Sequence, residues 1–156
     1  MRTDKRRKQS GIATIEFAIT ASFFFMMLVA VVAGGHFFWT HNALVEATRR
    51  GARYAANQCP DRAAFSACPN RADTIDRVKS VVVYDSPTAL SSPFVPGLAT
   101  TNVTVTYSTD FGVATGTVSV KIEGYTYNFF GLTLTMPPYQ TTVAGESAGF
   151  IPANLP

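Results

Sequence analysis

The sequence predicts an α+β protein: a single N-terminal transmembrane helix extended into a long spine helix, then a short helix and a small antiparallel β-sheet. Three observations predict it. The run Phe17 to Trp39 holds no Asp, Glu, Lys or Arg. Proline-free, helix-compatible sequence continues from Thr40 to Ala56. Beyond residue 100, apolar residues alternate with Thr and Ser at a period of two, the signature of strands with one buried face. The 156 residues suit one modest domain plus an anchor.

The first element is the anchor. At about 1.5 Å per residue its apolar run spans about 34 Å, enough to cross a bilayer core of about 30 Å. Trp39 stands at the far boundary, where aromatic belt residues concentrate. Before the run lies a basic stretch, Arg2, Lys5, Arg6, Arg7 and Lys8 against Asp4. The formal net charge of +3 therefore belongs to the leader, and the rest of the chain is slightly acidic. A nucleic-acid partner calls for a basic face on a folded domain, so none is expected. The basic cluster reads as a positive-inside flank, which places the N-terminus in the cytoplasm and the C-terminal part outside it.

One acid, Glu16, opens the otherwise uncharged segment, in Gly11-Ile12-Ala13-Thr14-Ile15-Glu16-Phe17. A carboxylate there is costly, about 2.5–3.5 kcal/mol at a membrane helix centre and less near the interface. Cutting after Gly11 would free a positive amine on Ile12, one helical turn from Glu16 or near the Glu16 of a neighbouring subunit. Two other readings compete. A secretory signal would be cut near Val31-Val32-Ala33, but its apolar core would be unusually long and interrupted by Glu16. A plain signal-anchor would leave Glu16 snorkelling at the inner interface.

The spine continues past the membrane. Leu44, Ala47, Gly51 and Tyr54-Ala55 recur at spacings of three and four and form one weakly apolar stripe. Glu46 and Arg50 stand at i,i+4 with the acid on the favourable side. Arg49, Arg50 and Arg53 read as a solvated face, or else as a contact for subunits or lipid headgroups. Gly34-Gly35 interrupts the spine, either for close packing of small residues or as a hinge.

These features resemble a type IV prepilin: a short basic leader, Gly11, a hydrophobic Ile12, and Glu16 as fifth residue of the mature chain. Glu16-Phe17, with Gly51-Ala52-Arg53 closing a small-residue-rich helix, is similar to the TadE-like minor pilins, or pseudopilins, of the tight-adherence (Tad/Flp) pilus. The resemblance covers about residues 10 to 56. It implies cleavage between Gly11 and Ile12 by a prepilin peptidase, with Glu16 as the assembly acid that pairs with an N-terminal amine. It also implies a pilin-like fold and a role in assembling or priming the filament. The implied partners are the major pilin, other minor pilins, the inner-membrane assembly platform and the lipid bilayer. The implied location is the inner membrane, single-pass, with the C-terminal domain periplasmic or extracellular, and with entry into the filament left open. The expected division is leader 1–11, anchor 12–39, periplasmic helix extension 40–58 and exported α+β domain 59–156. The alternative is a bitopic, signal-anchored interaction module that is never processed.

The exported part starts with Cys59-Pro60, expected to end the long helix. With both cysteines in an oxidising space, a Cys59–Cys68 disulfide is the default and free thiols the alternative. Asn70 reads as a helix cap, with Asp73 in the first turn and Ile75, Val78 and Val82 on one face. Val81-Val82-Val83 suits the end of that helix or a strand. Residues 85–101 are rich in Ser, Pro, Thr and Gly and read as a loop. Strands follow over Val103–Ser108, Thr117–Glu123, Tyr125–Phe129, Leu132–Met136 and Tyr139–Gly145, with Gly124 as a candidate bulge. The helix at 71–84, the spine, or both are expected to cover the apolar face.

Catalytic motifs are missing from the sequence: no HExxH, no GxSxG and no phosphate loop. His36 and His41 sit at the membrane boundary, and the acids Asp85, Asp110, Glu123 and Glu146 are scattered. No enzyme, metal or cofactor is expected.

Overall fold

The structure, a computed structural model, describes residues 4–58, 71–88, 90, 92–108, 116–129 and 131–145. Its elements are α1 (Asp4–Ala56), α2 (Arg71–Tyr84), a 3-10 turn (Thr100–Asn102), β1 (Val103–Tyr107), β2 (Thr117–Ile122), β3 (Thr126–Phe129), β4 (Leu132–Thr135) and β5 (Tyr139–Ala144). The α+β class and the order of elements are those the sequence predicts. The predicted Cys59–Cys68 bridge and the Asn70 cap lie outside the described residues. The chain divides into two compact units, Met1–Trp39 and Thr40–Pro156.

In the first unit α1 is helical from Asp4, so the leader residues that follow Asp4 continue the helix instead of preceding it. Phe23, Phe24, Phe25, Met26 and Met27 are each at least 61% exposed. Five successive residues, turned by about 100° each, point in every direction around the axis. The helix therefore has no polar side here, the pattern of a segment surrounded by apolar material. The Ser22 hydroxyl donates to the Ala18 carbonyl at 2.8 Å, which satisfies it within the helix. Gly34-Gly35 does not break the helix, and a Cβ on either would meet nothing within 4 Å.

In the second unit, α1 becomes one-sided. Thr40, Ala43, Leu44, Ala47, Thr48, Gly51, Ala52, Ala55 and Ala56 are buried, and Asn42, Glu46, Arg49 and Arg53 are exposed. The spacing of three and four is the expected stripe, with Thr40 and Thr48 added to it. The helix ends at Ala56, before Cys59. Asn57 and Gln58 N–H groups donate to Tyr54 and Ala55 carbonyls at 3.2 Å, and the Asn57 amide donates to Arg53 O at 3.1 Å. These bonds occupy carbonyls that the helix end leaves without partners.

The main sheet has the order β1-β2-β5, all antiparallel. Val118, Val120 and Ile122 of central β2 are buried, while Thr117 is exposed and Ser119 and Lys121 are half-buried. β3 and β4 form a separate two-stranded hairpin. The five strands lie where alternation placed them, but in two sheets, not one. Gly124, with φ of 68°, is not a bulge within a strand. It turns the chain from β2 into β3, a conformation that favours glycine. Val81, Val82 and Val83 are helical and all buried. Their β-branching disfavours helix by only a few tenths of a kcal/mol each, less than burial of each side chain returns.

Both helices cover the sheet. α1 crosses it diagonally: Thr48 meets Thr141 of β5, Gly51 approaches Val120 of β2, and Tyr107 of β1 donates to Ala55 O at 3.3 Å. A Cβ on Gly51 would run into Val82 Cγ2 of α2 and lie 3.5 Å from Val120 Cγ1. Glycine is needed here because two helices and a strand converge on one point. Gly51→Ala in a helix normally gains up to about 1 kcal/mol. Here it is expected to destabilise the detergent-solubilised chain by about 1–3 kcal/mol through overpacking. In a Val82→Ala background the same change is expected to become neutral or stabilising. Unfolding in denaturant reads both, and an unchanged penalty in that background would remove the contact from the argument.

The Tyr107 phenol is pushed well above its ordinary range, first by burial and then by the neighbouring Tyr54. The folded state thus keeps this proton at pH values where the unfolded chain loses it, so folding stability should fall as pH rises above about 10. Tyr107→Phe is expected to flatten that alkaline decline, measured as the thermal midpoint between pH 8 and pH 11.

Candidate functional site

Gly11, Ile12, Ile15, Glu16 and Phe17 all lie on α1 and are exposed. Space around Gly11 is open, with nothing within 4 Å of a Cβ built there. No contact within the described residues therefore requires a glycine at this position. Ile12 and Glu16 stand at i,i+4, on one face and about 6 Å apart along the axis. An amine created at Ile12 would share its helix face with the Glu16 carboxylate. That charge pairing is the chemistry this stretch offers.

The far end of the apolar segment carries His36, whose ring centroid lies 5.9 Å from that of Trp39. In the second unit, His41 Nδ1 and the Tyr139 hydroxyl share a hydrogen bond of 2.8 Å, their rings edge to face. Burial raises the Tyr139 pKa. Thr48 donates its hydroxyl proton to Val45 O at 2.7 Å, so in its 2.9 Å bond with Thr141 the latter donates. These polar pairs tie α1 to β5. Sequence reading did not find them. The one available signal was parity: Tyr139 and Thr141 fall on the inward face of β5, where a polar group needs a partner.

The basic face predicted for α1 divides. Arg49 and Arg53 are exposed as expected. Arg50 is half-buried and pairs with Asp85, Nη1 to Oδ2 at 2.8 Å, not with Glu46. Its guanidinium carbon lies 4.8 Å from the centroid of the Phe94 ring, a cation–π distance. Arg50 Nε and Nη2 are buried without a hydrogen-bond partner, and the aromatic face is what they have instead. Asp85 caps α2 in the left-handed region, φ 58°, donating its N–H to Val81 O at 3.1 Å. Asp85, one of the acids expected to be scattered, is exposed and is also a partner of the spine. Glu123 is exposed, and Lys121 beside it holds its carboxyl below the usual range by hydrogen bonding and charge. Asp110 and Glu146 lie outside the described residues.

Among the described residues no group of three or more His, Cys, Asp or Glu is placed to hold a metal. Asp76, Lys79, Ser80, Thr100 and Thr101 line a shallow open cleft between α2 and the 3-10 turn.

The helix at the head of the chain is long and apolar enough to cross a membrane, and a small α+β unit follows it. The family model described as TadE-like protein matches residues 11–53, within α1. The match opens on Gly11 and closes on Arg53, taking in the apolar segment and Gly51-Ala52-Arg53, and leaves α2 and the strands outside it. No curated protein and no solved structure matches the chain.

Left-handed Asp85 sets up a comparison of its two roles. Asp85→Gly keeps the turn and removes the carboxylate, and Asp85→Ala removes the carboxylate and strains the turn. The alanine variant is expected to be less stable than the glycine variant by about 1–2 kcal/mol. Equal losses in denaturant unfolding would mean that the pairing with Arg50 dominates.

Proposed function

We propose that this chain is a minor pilin, or pseudopilin, of a tight-adherence (Tad/Flp) pilus, with a structural and not a catalytic role. The observation that carries the reading is the sequence Gly11-Ile12 followed by Glu16, at the head of an all-round apolar helix and inside the stretch matched by the TadE-like family model. A prepilin peptidase cuts between Gly11 and Ile12. The new amine of Ile12 pairs with a Glu16 carboxylate, its own or a neighbour's, and the pairing lowers the cost of both charges in a low-dielectric setting. The anchor is held first in the inner membrane, N-terminus cytoplasmic, and is then available to a filament core. The α+β unit lies on the far side, where Cys59 and Cys68 can form a disulfide. Its partners are the peptidase, the major pilin, other minor pilins and the assembly platform, and its task is to assemble or prime the filament.

The mature N-terminus tests the reading. Mass spectrometry of protein isolated from its host is expected to find Ile12 first. Gly11→Leu is expected to leave the leader attached, and Glu16→Ala to permit cutting but impair pilus formation. A chain that still begins at Met1 in piliated cells would overturn the proposal in favour of an unprocessed bitopic module. A chain beginning at Gly34 would mark a secreted protein.

A further inference from the structure

We infer that the outer edge of β5 docks a second, like-oriented copy of this chain, taking up that copy's β1 as a parallel strand. β5 ends the order β1-β2-β5, so among the described residues no strand lies on its outer side. The Gly145 N–H donates to Gly116 O at 3.0 Å. Hydrogen-bonded and non-bonded pairs alternate along an antiparallel ladder, so with Gly116 opposite Gly145, the bonded residues of β5 are Tyr139, Thr141 and Val143. The backbone groups of Gln140, Thr142 and Ala144 then point outward, and all three residues are exposed. On the other edge, Ser108 N–H donates to Thr117 O at 2.9 Å and Glu123 N–H to Asn102 O at 2.9 Å. The same alternation turns the backbones of Val105 and Tyr107 outward from β1.

Neither edge strand carries a charge or a proline. Natural edge strands are commonly protected by such residues against pairing with other chains, and β5 is six residues long without them. Its exposed face extends the hydroxyl row of β2: Ser119 Oγ accepts from Gln140 Nε2 at 2.9 Å and from Thr142 Oγ1 at 3.3 Å. Thr104 and Thr106 present the same chemistry on the exposed face of β1.

Direction selects the partner strand. Two copies could join β5 to β5, antiparallel, around a twofold axis normal to the sheet. α1 lies flat against the sheet from Thr48 to Ala55, so that axis would reverse it, and the two chains would enter from opposite sides. β1 and β5 both run antiparallel to β2 and hence run in the same direction. Joining β5 of one copy to β1 of the next is a translation, which keeps both α1 segments aligned and both chains entering from one side. That requirement rests on the membrane-anchored reading. The contact is heterologous and leaves a free edge at each end of the row, so it can repeat.

The test uses the full chain in host membranes, with two differently tagged copies expressed together. Benzoylphenylalanine at Gln140 is expected, on illumination, to link the two copies, with the captured peptide containing Val103–Tyr107. Thr142→Pro removes one outward N–H and leaves the ladder to β2 intact. It is expected to cut the yield of linked copies by about five- to tenfold, roughly one hydrogen bond, while Thr142→Val preserves it and the thermal midpoints of both stay near that of the parent. Capture of β5 instead of β1, capture of a different protein alone, no link between copies, or a yield indifferent to Thr142→Pro would overturn the inference. Alkaline carbonate extraction of the same membranes reports separately on the anchor.

Discussion

The close approach at Gly51 is the constraint on which the folded unit depends. From Thr40 onward the buried face of α1 holds one large side chain, Leu44, among alanines, threonines and a glycine. Such a face removes little apolar area from water by itself. It lets other elements come near instead. Val82 of α2 and Val120 of β2 both converge on the missing Cβ of Gly51, so one residue sets the distance of α1 from a helix and from a sheet together. The bulk of the core then comes from branched side chains on the other elements: Val78, Val82 and Val83 of α2, Val95 of the loop, and Val118, Val120 and Ile122 of β2. Within Gly51-Ala52-Arg53 the glycine and alanine are buried packing residues, and the arginine returns to solvent.

The same helix obeys a different rule before Trp39. There the large side chains are exposed on every side, and at about 25 cal/mol per Å² of apolar surface such a segment is costly in water. After Thr40, exposure is confined to one face. A change from all-round to one-sided apolarity along one helix is what a chain needs when it leaves lipid and enters its own domain. Glu16 is the exception within the apolar stretch. Its cost is a local matter of a few kcal/mol at most, and a positive partner one turn away is the least change that would offset it.

Local pattern made much of this legible. The strand positions followed from alternation, with Gly124 and Pro137-Pro138 as punctuation. The α1 stripe followed from its spacing, and the Gly11–Glu16 stretch from its charge. Pairing partners did not follow, because parity says which face a residue takes and not which strand lies beside it. Nothing in the alternation after Gly124 distinguishes a strand of the main sheet from a separate hairpin. Arg50 offered Glu46 as a partner four residues away, and the fold brought Asp85 instead, across a turn whose left-handed residue has no signal in the sequence. Val81-Val82-Val83 was open between helix and strand because intrinsic preference differs by tenths of a kcal/mol where burial acts in whole units.

The two polar contacts between α1 and β5 add what packing of small residues cannot. Alanine faces slide easily, since one methyl replaces another with little change in contact. His41 with Tyr139, and Thr48 with Thr141, occur seven residues apart on the helix and two apart on the strand. Each is worth only about 1 kcal/mol net. A slip of one helical turn would break both, and would leave polar groups under cover without partners at about 1–3 kcal/mol for each group. Position along the helix is therefore held more firmly than the strength of either bond implies. Displacement of α1 at Thr40 is accordingly delivered to β5 instead of being absorbed by sliding. A subunit drawn out of a bilayer by its anchor, as proposed here, requires that property of the joint between its helix and its sheet.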